Sequence, residues 1–344
     1  MSKISQKFSF EWLKILDTYA SFIKMNILNS LQNWEKITFE EKTDEATKEF
    51  FYASYNGFGQ NVFVKKIDLS KDDSNEYQLE TKALASLNHY NIIPLIYSDV
   101  VNVQIDDSTK QFGVIVLPKI GKYNLCDALA NKYKWIVNEG NLITFSFNLI
   151  SAINHIHSRG FVHRDLKPDN IVIEMIDFDE DKKTFSFQPE CFNIIDFGSV
   201  YSVIDHINDS DEEKLHEKFN FKKTLEYAPP EFINNLEMTE KYDIYSAGII
   251  LFMLVTGHIP FFHYELNSEN NSLKYLPTEN INELFDAKEW EGISEEMQDL
   301  IKSMISFNPK LRPSAKNLLK ANIFSGQLTS LDISDDDEGF DSYY

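Results

Sequence analysis

Cysteine is nearly absent from this chain. Of 344 residues only Cys126 and Cys191 carry a thiol, too few for a disulfide framework and in no metal-ligand spacing. Basic residues are in deficit. The 33 Lys and Arg stand against 54 Asp and Glu, a net charge of −21, which excludes nucleic-acid binding as the main activity. Without the acids of residues 332–344 about −15 remains, so the acidity belongs to the body as well as the tail. Such a surface either favours basic partners or is simply a solvated, soluble face. Long apolar runs are missing too: the longest, residues 247–255, falls well short of the ~20 residues that span a bilayer. The N-terminus lacks the cationic start, apolar core and small-residue cleavage site of a signal peptide. The expectation is an intracellular, cytoplasmic protein that contacts no membrane, with the nucleus left open although no basic import-like cluster stands out.

What is present is ordinary globular material. A hydrophobic share of 43% with 25% charged residues excludes a mostly disordered chain, and this length can bury a core spread over two lobes or two domains. Residues 8–34 place Trp12, Leu16, Tyr19, Ile23, Ile27, Leu31 and Trp34 at steps of three and four, one face of a helix. That helix either docks on the chain's own surface or takes a partner. From Trp34 to Ile67 the pattern changes to strands at Ile37–Glu40, Glu49–Ser54 and Asn61–Ile67, with a turn at Asn56-Gly57-Phe58-Gly59. A helix between Asp73 and Leu87, capped by Ser74, puts Tyr77, Glu80, Leu84 and Leu87 on its inner stripe. An inward carboxylate at Glu80 must find a cation or lose its charge.

The densest chemistry is His163-Arg164-Asp165-Leu166-Lys167-Pro168-Asp169-Asn170, followed after a strand and an insert by Asp196-Phe197-Gly198. It offers a carboxylate, an ammonium and an amide, the groups needed to accept a hydroxyl proton, neutralise a transferring phosphate and hold a metal ion. Both motifs, in this order, resemble the eukaryotic protein kinases, and Lys167 two residues after Asp165 resembles the serine/threonine type. The resemblance implies an α+β, two-lobed protein-kinase fold: a small antiparallel-sheet N-lobe with one helix and a larger, mainly helical C-lobe.

The same resemblance implies roles. In Val62-Phe63-Val64-Lys65-Lys66-Ile67, Lys65 would pair the ATP phosphates and Glu80 would pair Lys65. Leu117 and Lys119, at the Pro118-Lys119-Ile120-Gly121 hinge, would hold adenine, which the family binds through backbone hydrogen bonds. Asp165 would be the base or hydroxyl-orienting group and Lys167 the charge neutraliser, while Asn170 and Asp196 would hold Mg²⁺. Thr224 is expected near Asp165, Asp243 behind the catalytic loop, and Arg312 buried against Glu231. Arg164 commonly meets a phosphorylated residue in this family, yet the aligned position is Asn220, so activation is expected not to need that phosphate; Ser210 is the nearest alternative.

One family feature is missing. The glycine-rich loop that lets backbone N–H groups approach phosphates should fall at residues 43–50, and no glycine occupies them. Gly57 and Gly59 lie too near Lys65 and read as a turn. Acids and side chains there oppose a triphosphate, which sets a second reading beside the first. The first is a kinase using ATP and Mg²⁺ on protein serine or threonine, with basic flanks at the target site. The second is a pseudokinase, a scaffold or binding module with little or no turnover; a structural subunit engaged through residues 8–34 is compatible with either.

Strands at Ile171–Ile176 and Phe192–Ile195 are expected to form a hairpin whose enlarged tip holds Asp177, Asp179 and Asp181. That spacing is similar to a calcium loop, but Lys182 and Gln188 stand where glycine and glutamate are needed, leaving a solvated tip. The domain boundaries read as a helical extension over 1–33, an N-lobe over 34–117, hinge and C-lobe over 118–325, and a disordered acidic tail over 326–344.

Overall fold

Val62 and Val64 share one face of a strand, packing with Val101, Phe112, Val114 and Val116, while Phe63 and Ile67 point the other way toward Tyr77, Leu84, Ile115 and Leu117. This period-two division builds the upper half of the molecule. The computed structural model describes residues 35–37, 48–54, 61–70, 74–105, 108–130, 134–135, 138–173, 176–179, 184–203, 226–233, 239–260, 264–267, 272–275 and 281–327. The expected helix over 8–34, the turn at 56–59, Ser210, Asn220, Thr224 and residues 328–344 of the tail lie outside these.

Strands β1 (Glu35–Ile37), β2 (Lys48–Ser54), β3 (Asn61–Asp68), β4 (Tyr97–Ile105) and β5 (Ser108–Pro118) form an antiparallel sheet in the order β1-β2-β3-β5-β4. Helix α1 (Ser74–Ser86) crosses between β3 and β4 and buries Tyr77, Glu80, Ala83 and Leu84, the expected inner stripe. Ser74 is its first helical residue rather than a cap outside it. Tyr77 lies on bare backbone at Gly113, where an added Cβ would come within 2.5 Å of its ring.

The register moves one boundary. Lys48, Glu49 and Phe50 pair with Ile67, Lys66 and Lys65 inside β2 and β3, so they are ladder residues and not part of a phosphate loop. Residues 38–47, which follow β1 and precede β2 in the sequence, also contain no glycine. The described part of the first strand is Glu35–Ile37, with Ile37 paired to Phe50; residues 38–40 of the strand expected at Ile37–Glu40 lie outside the described residues.

Below the sheet the chain is mainly helical, giving the two-lobed arrangement. The described elements are β6 (Tyr123–Asn124), α2 (Leu125–Ala130), β7 (Lys134–Trp135), α3 (Glu139–Ser158), β8 (Phe161–Val162), β9 (Ile171–Ile173), β10 (Ile176–Asp179), β11 (Thr184–Phe187), β12 (Phe192–Ile194), β13 (Tyr201–Ser202), α4 (Pro230–Ile233), α5 (Lys241–Thr256), β14 (Tyr264–Asn267), β15 (Ser272–Tyr275), α6 (Glu295–Met304) and α7 (Ala315–Leu318). Asn138 caps α3 by accepting from Asn141 N at 2.8 Å. Helix α5 is buried nearly all round, as its unbroken apolar run requires. A Cβ at Gly248 would lie 2.7 Å from Ile305, so glycine is what lets the end of α6 seat on α5.

The insert before Asp196 differs from expectation. Strand β9 pairs with β12 as a short ladder, while β10 and β11 make a hairpin of their own whose β11 runs parallel to β7. Asp177 and Asp179 therefore lie in a strand, alternating with Ile176 and Phe178, and Phe178 stands opposite Phe185. A D-x-D spacing is a period-two pattern, and the alternating apolar residues make it the polar half of a strand.

Candidate active site

Lys65 is brought to its partner by two alternations at once. On β3 it occupies the face turned to α1, and on α1 Glu80 occupies the buried stripe, so Lys65 Nζ lies 2.8 Å from both carboxylate oxygens of Glu80. Both residues are buried. Burial alone would depress the Lys65 ammonium, but the Glu80 carboxylate, with Asp196 behind it, holds its pKa above the ordinary lysine value. Asp196 Oδ1 is 3.5 Å from the same Nζ. A Cβ at Gly198 would sit 3.0 Å from Lys65 Nζ and 3.1 Å from Asp196 Oδ1, so only glycine leaves this approach unobstructed.

The second cluster lies across the cleft in the chain between β8 and β9. Lys167 Nζ donates to Asp165 at 2.8 and 3.1 Å. Asn170 donates to the backbone oxygen of Asp165 at 2.8 Å and to its Oδ2 at 2.9 Å. With its amide hydrogens turned to Asp165, Asn170 keeps a carbonyl oxygen for a cation.

Asp243, at the start of α5, holds this loop from behind. It accepts from His163 N at 2.8 Å and Arg164 N at 2.9 Å, and its Oδ2 lies 2.9 Å from His157 Nε2. Burial pushes against its charge, yet these hydrogen bonds and the nearby imidazoles keep its pKa below the usual carboxylate value. His163 Nε2 meets the Ile195 carbonyl at 3.1 Å and its Nδ1 accepts from Asp165 N at 3.3 Å. Its ring lies 4.8 Å from that of Phe197, edge to face. The imidazole thus ties the Asp165 loop to the Asp196 turn. Among the described residues, the non-glycine positions with positive φ are Arg164 (65°) and Asp196 (59°), both here, where backbone strain is held by surrounding bonds.

Arg164 is buried, with Nε donating to Ser199 O at 2.7 Å and its guanidinium 5.3 Å from the Tyr201 ring. Burial lowers its pKa to about 10. Behind the site, Arg312 and Glu231 form the expected buried pair, with Nη2 to Oε2 at 2.7 Å.

At the hinge, Leu117 is buried and Lys119 is exposed, its Nζ 4.1 Å over the Tyr52 ring. Gly121 has φ +40°, and a Cβ there would strike Val172 Cγ1 at 2.4 Å. The structure thus gathers Lys65, Glu80 and Asp196 into one cluster and Asp165, Lys167 and Asn170 into another, with Leu117 and Lys119 at the hinge. Two groups were missed from sequence: His157, which helps hold Asp243, and the aromatic wall of Phe50, Tyr52 and Phe63. The signal for the wall was available, since Phe63 lies two residues before Lys65 and so shares its face.

A Mg²⁺ site is compatible with these donors. Asp196 offers a carboxylate that is 49% exposed and Asn170 an amide oxygen, both hard ligands. Among the described residues no group of three or more His, Cys, Asp or Glu forms a metal cluster.

The family profile described as protein kinase domain matches residues 51–324. A calcium and calcium/calmodulin-dependent serine/threonine-protein kinase of Pisum sativum is 28% identical over 72% of this chain and 40% of its own length. Serine/threonine-protein kinase pkn3 of Myxococcus xanthus is 29% identical over 72% of this chain and 41% of its own. Sperm motility kinase 2B of Mus musculus is 29% identical over 76% and 46%. The chain spans less than half the length of these relatives.

Proposed function

The chain belongs to the protein kinase family, and from that premise we propose that it transfers the γ-phosphoryl group of MgATP to serine or threonine hydroxyls of proteins. The observation carrying this reading is the paired assembly of the two clusters: the Lys65–Glu80 ion pair beside Asp196, and the Asp165–Lys167–Asn170 network, tied through His163 and Phe197. Lys65 orients phosphate oxygens, Asp165 accepts the hydroxyl proton at a carboxylate oxygen, and Lys167 neutralises charge developing on the transferred group. Asn170 and Asp196 would hold Mg²⁺, which when bound offsets negative charge on the phosphates. The chain's part is positioning and electrostatics, and rigid backing by Asp243 serves both.

The serine/threonine assignment is supported by Lys167 and by the printed names of the relatives. Basic residues flanking the target hydroxyl are favoured by the chain's net charge of −21. Arg164 turned to Ser199 O and Tyr201 fits activation without a phosphate at residue 220. A cytoplasmic location and a partner for residues 8–34 belong to the same proposal. The scaffold alternative draws on the glycine-free connection at 38–47.

The test incubates the purified full chain with MgATP and a generic basic protein and identifies modified residues by mass spectrometry. Phosphoserine or phosphothreonine supports the proposal. Unmodified substrate, with no thermal shift on adding MgATP, moves the assignment to the scaffold.

A further inference from the structure

The sheet wall between Lys65 and the hinge is lined with aromatic rings. Phe63 lies two residues from Lys65 on the same face, roughly 7 Å along the strand, and pairs across β5 with Leu117, while its neighbour Val62 pairs with Pro118. It is therefore on the hinge side of the phosphate-handling lysine. Its ring stacks on Phe50 at 5.7 Å with 29° between planes and meets Tyr52 edge-on at 5.9 Å. Lys119 Nζ, 4.1 Å over Tyr52, closes the cluster from the hinge. Phe63 is only partly buried and packs against the same core as Leu117.

A nucleotide whose phosphates reach Lys65 and whose base reaches the hinge must pass its base under this stretch of β3. We propose that Phe63 determines the nucleotide affinity of this chain: its ring, held by Phe50 and Tyr52, takes up depth beneath the sheet that a purine base requires. Because four rings and chains interlock, with Lys119 over Tyr52 and Tyr52 against Phe63, the wall resists moving aside. The chain is thus tuned for weak nucleotide binding at the hinge side of Lys65. This inference rests on the phosphoryl-transfer reading only for identifying which ligand enters the cleft.

The experiment measures MgADP and MgATP binding calorimetrically to the full chain as wild type, Phe63→Ala, Phe63→Leu and Phe63→Ala with Lys65→Met, each with its melting temperature. Phe63→Ala is expected to bind about tenfold tighter, equivalent to about 1.4 kcal/mol, Phe63→Leu to gain less, and Lys65→Met to remove most of the gain. Should Phe63→Ala fail to fold, Phe63→Leu carries the comparison. Unchanged or weaker binding in a variant that melts near the wild type overturns the inference; weaker binding would mean the ring stacks on the base. If the wild type transfers no phosphate yet the variants bind tighter, the inference stands and the kinase activity falls. If the wild type transfers phosphate and the variants bind no tighter, the reverse holds.

Discussion

Replacing Arg312 by methionine removes the cation from one of the most enclosed charge pairs in the molecule. Arg312 is 2% exposed and Glu231 3%. Besides its two bonds to Glu231, Arg312 donates to Ser306 O at 2.6 Å and Lys241 O at 3.1 Å, and its guanidinium stacks 4.8 Å from the Tyr245 ring. Methionine fills much of the volume, so the cavity contribution is small. What remains is a buried carboxylate without its cation, for which about 3–5 kcal/mol is the usual cost, together with two carbonyls that lose a donor at about 1 kcal/mol each where water does not reach them. An overall loss of about 5–7 kcal/mol is a large share of the ~5–15 kcal/mol that holds a domain folded. Urea unfolding followed by fluorescence reads it as a lowered midpoint at unchanged slope. Glu231→Gln should cost less, because an amide oxygen still accepts from the guanidinium. The double variant should be more stable than the sum of the single losses by about 1–3 kcal/mol. A cost below about 1 kcal/mol for Arg312→Met, or strict additivity in the double variant, would refute the argument that the pair is desolvated and coupled.

Three further outcomes follow from the geometry. His89, whose Nδ1 accepts from Asn91 N and whose Nε2 meets Ser151 Oγ, each at 3.1 Å, has its pKa lowered by burial, and by nearby His155, from 6.5 to about 4. Its neutral form therefore contributes stability that is complete above pH 6.5 and lost as pH falls toward 4, up to about 3 kcal/mol. The urea midpoint of His89→Gln, measured across that window, should lose this part of the slope. Asp243→Asn turns an amide N–H toward donors that now share a carboxylate, and should cost about 2–4 kcal/mol while lowering phosphotransfer more than tenfold, read by unfolding and initial rates. Gly121→Ala must relieve the 2.4 Å approach to Val172 at a φ of +40°, so it should lower the urea midpoint by the equivalent of about 1–3 kcal/mol and weaken nucleotide binding at the hinge.

The positions of the candidate site residues were legible because each sits in a short local motif or on the inward face set by the period of its own helix or strand. Lys65 and Glu80 met as expected because a period of two and a period of 3.6 each leave one side chain facing in. Arg312 and Glu231 are 81 residues apart, and their pairing was readable only through the family pattern. Boundaries were less legible. Whether Lys48–Phe50 are loop or strand is decided by pairing with Lys65–Ile67, and composition does not encode register. The β10–β11 hairpin was missed because its acids resembled a solvated tip, whereas the backbone register pairs Ile176–Asp179 with Thr184–Phe187 as a ladder. The contact of Asn88 N with His155 Nε2 at 3.1 Å, which seats the α1 end of the upper lobe on α3, depends on lobe packing and leaves no local trace.

The most direct measurement compares initial rates of γ-phosphoryl transfer to a basic protein for the wild type and Asp165→Asn at the same saturating MgATP, with melting temperatures recorded for both. The account predicts measurable wild-type transfer and a rate roughly a thousandfold lower in the variant, with the fold intact. Equal rates, or a wild type indistinguishable from background, would contradict it.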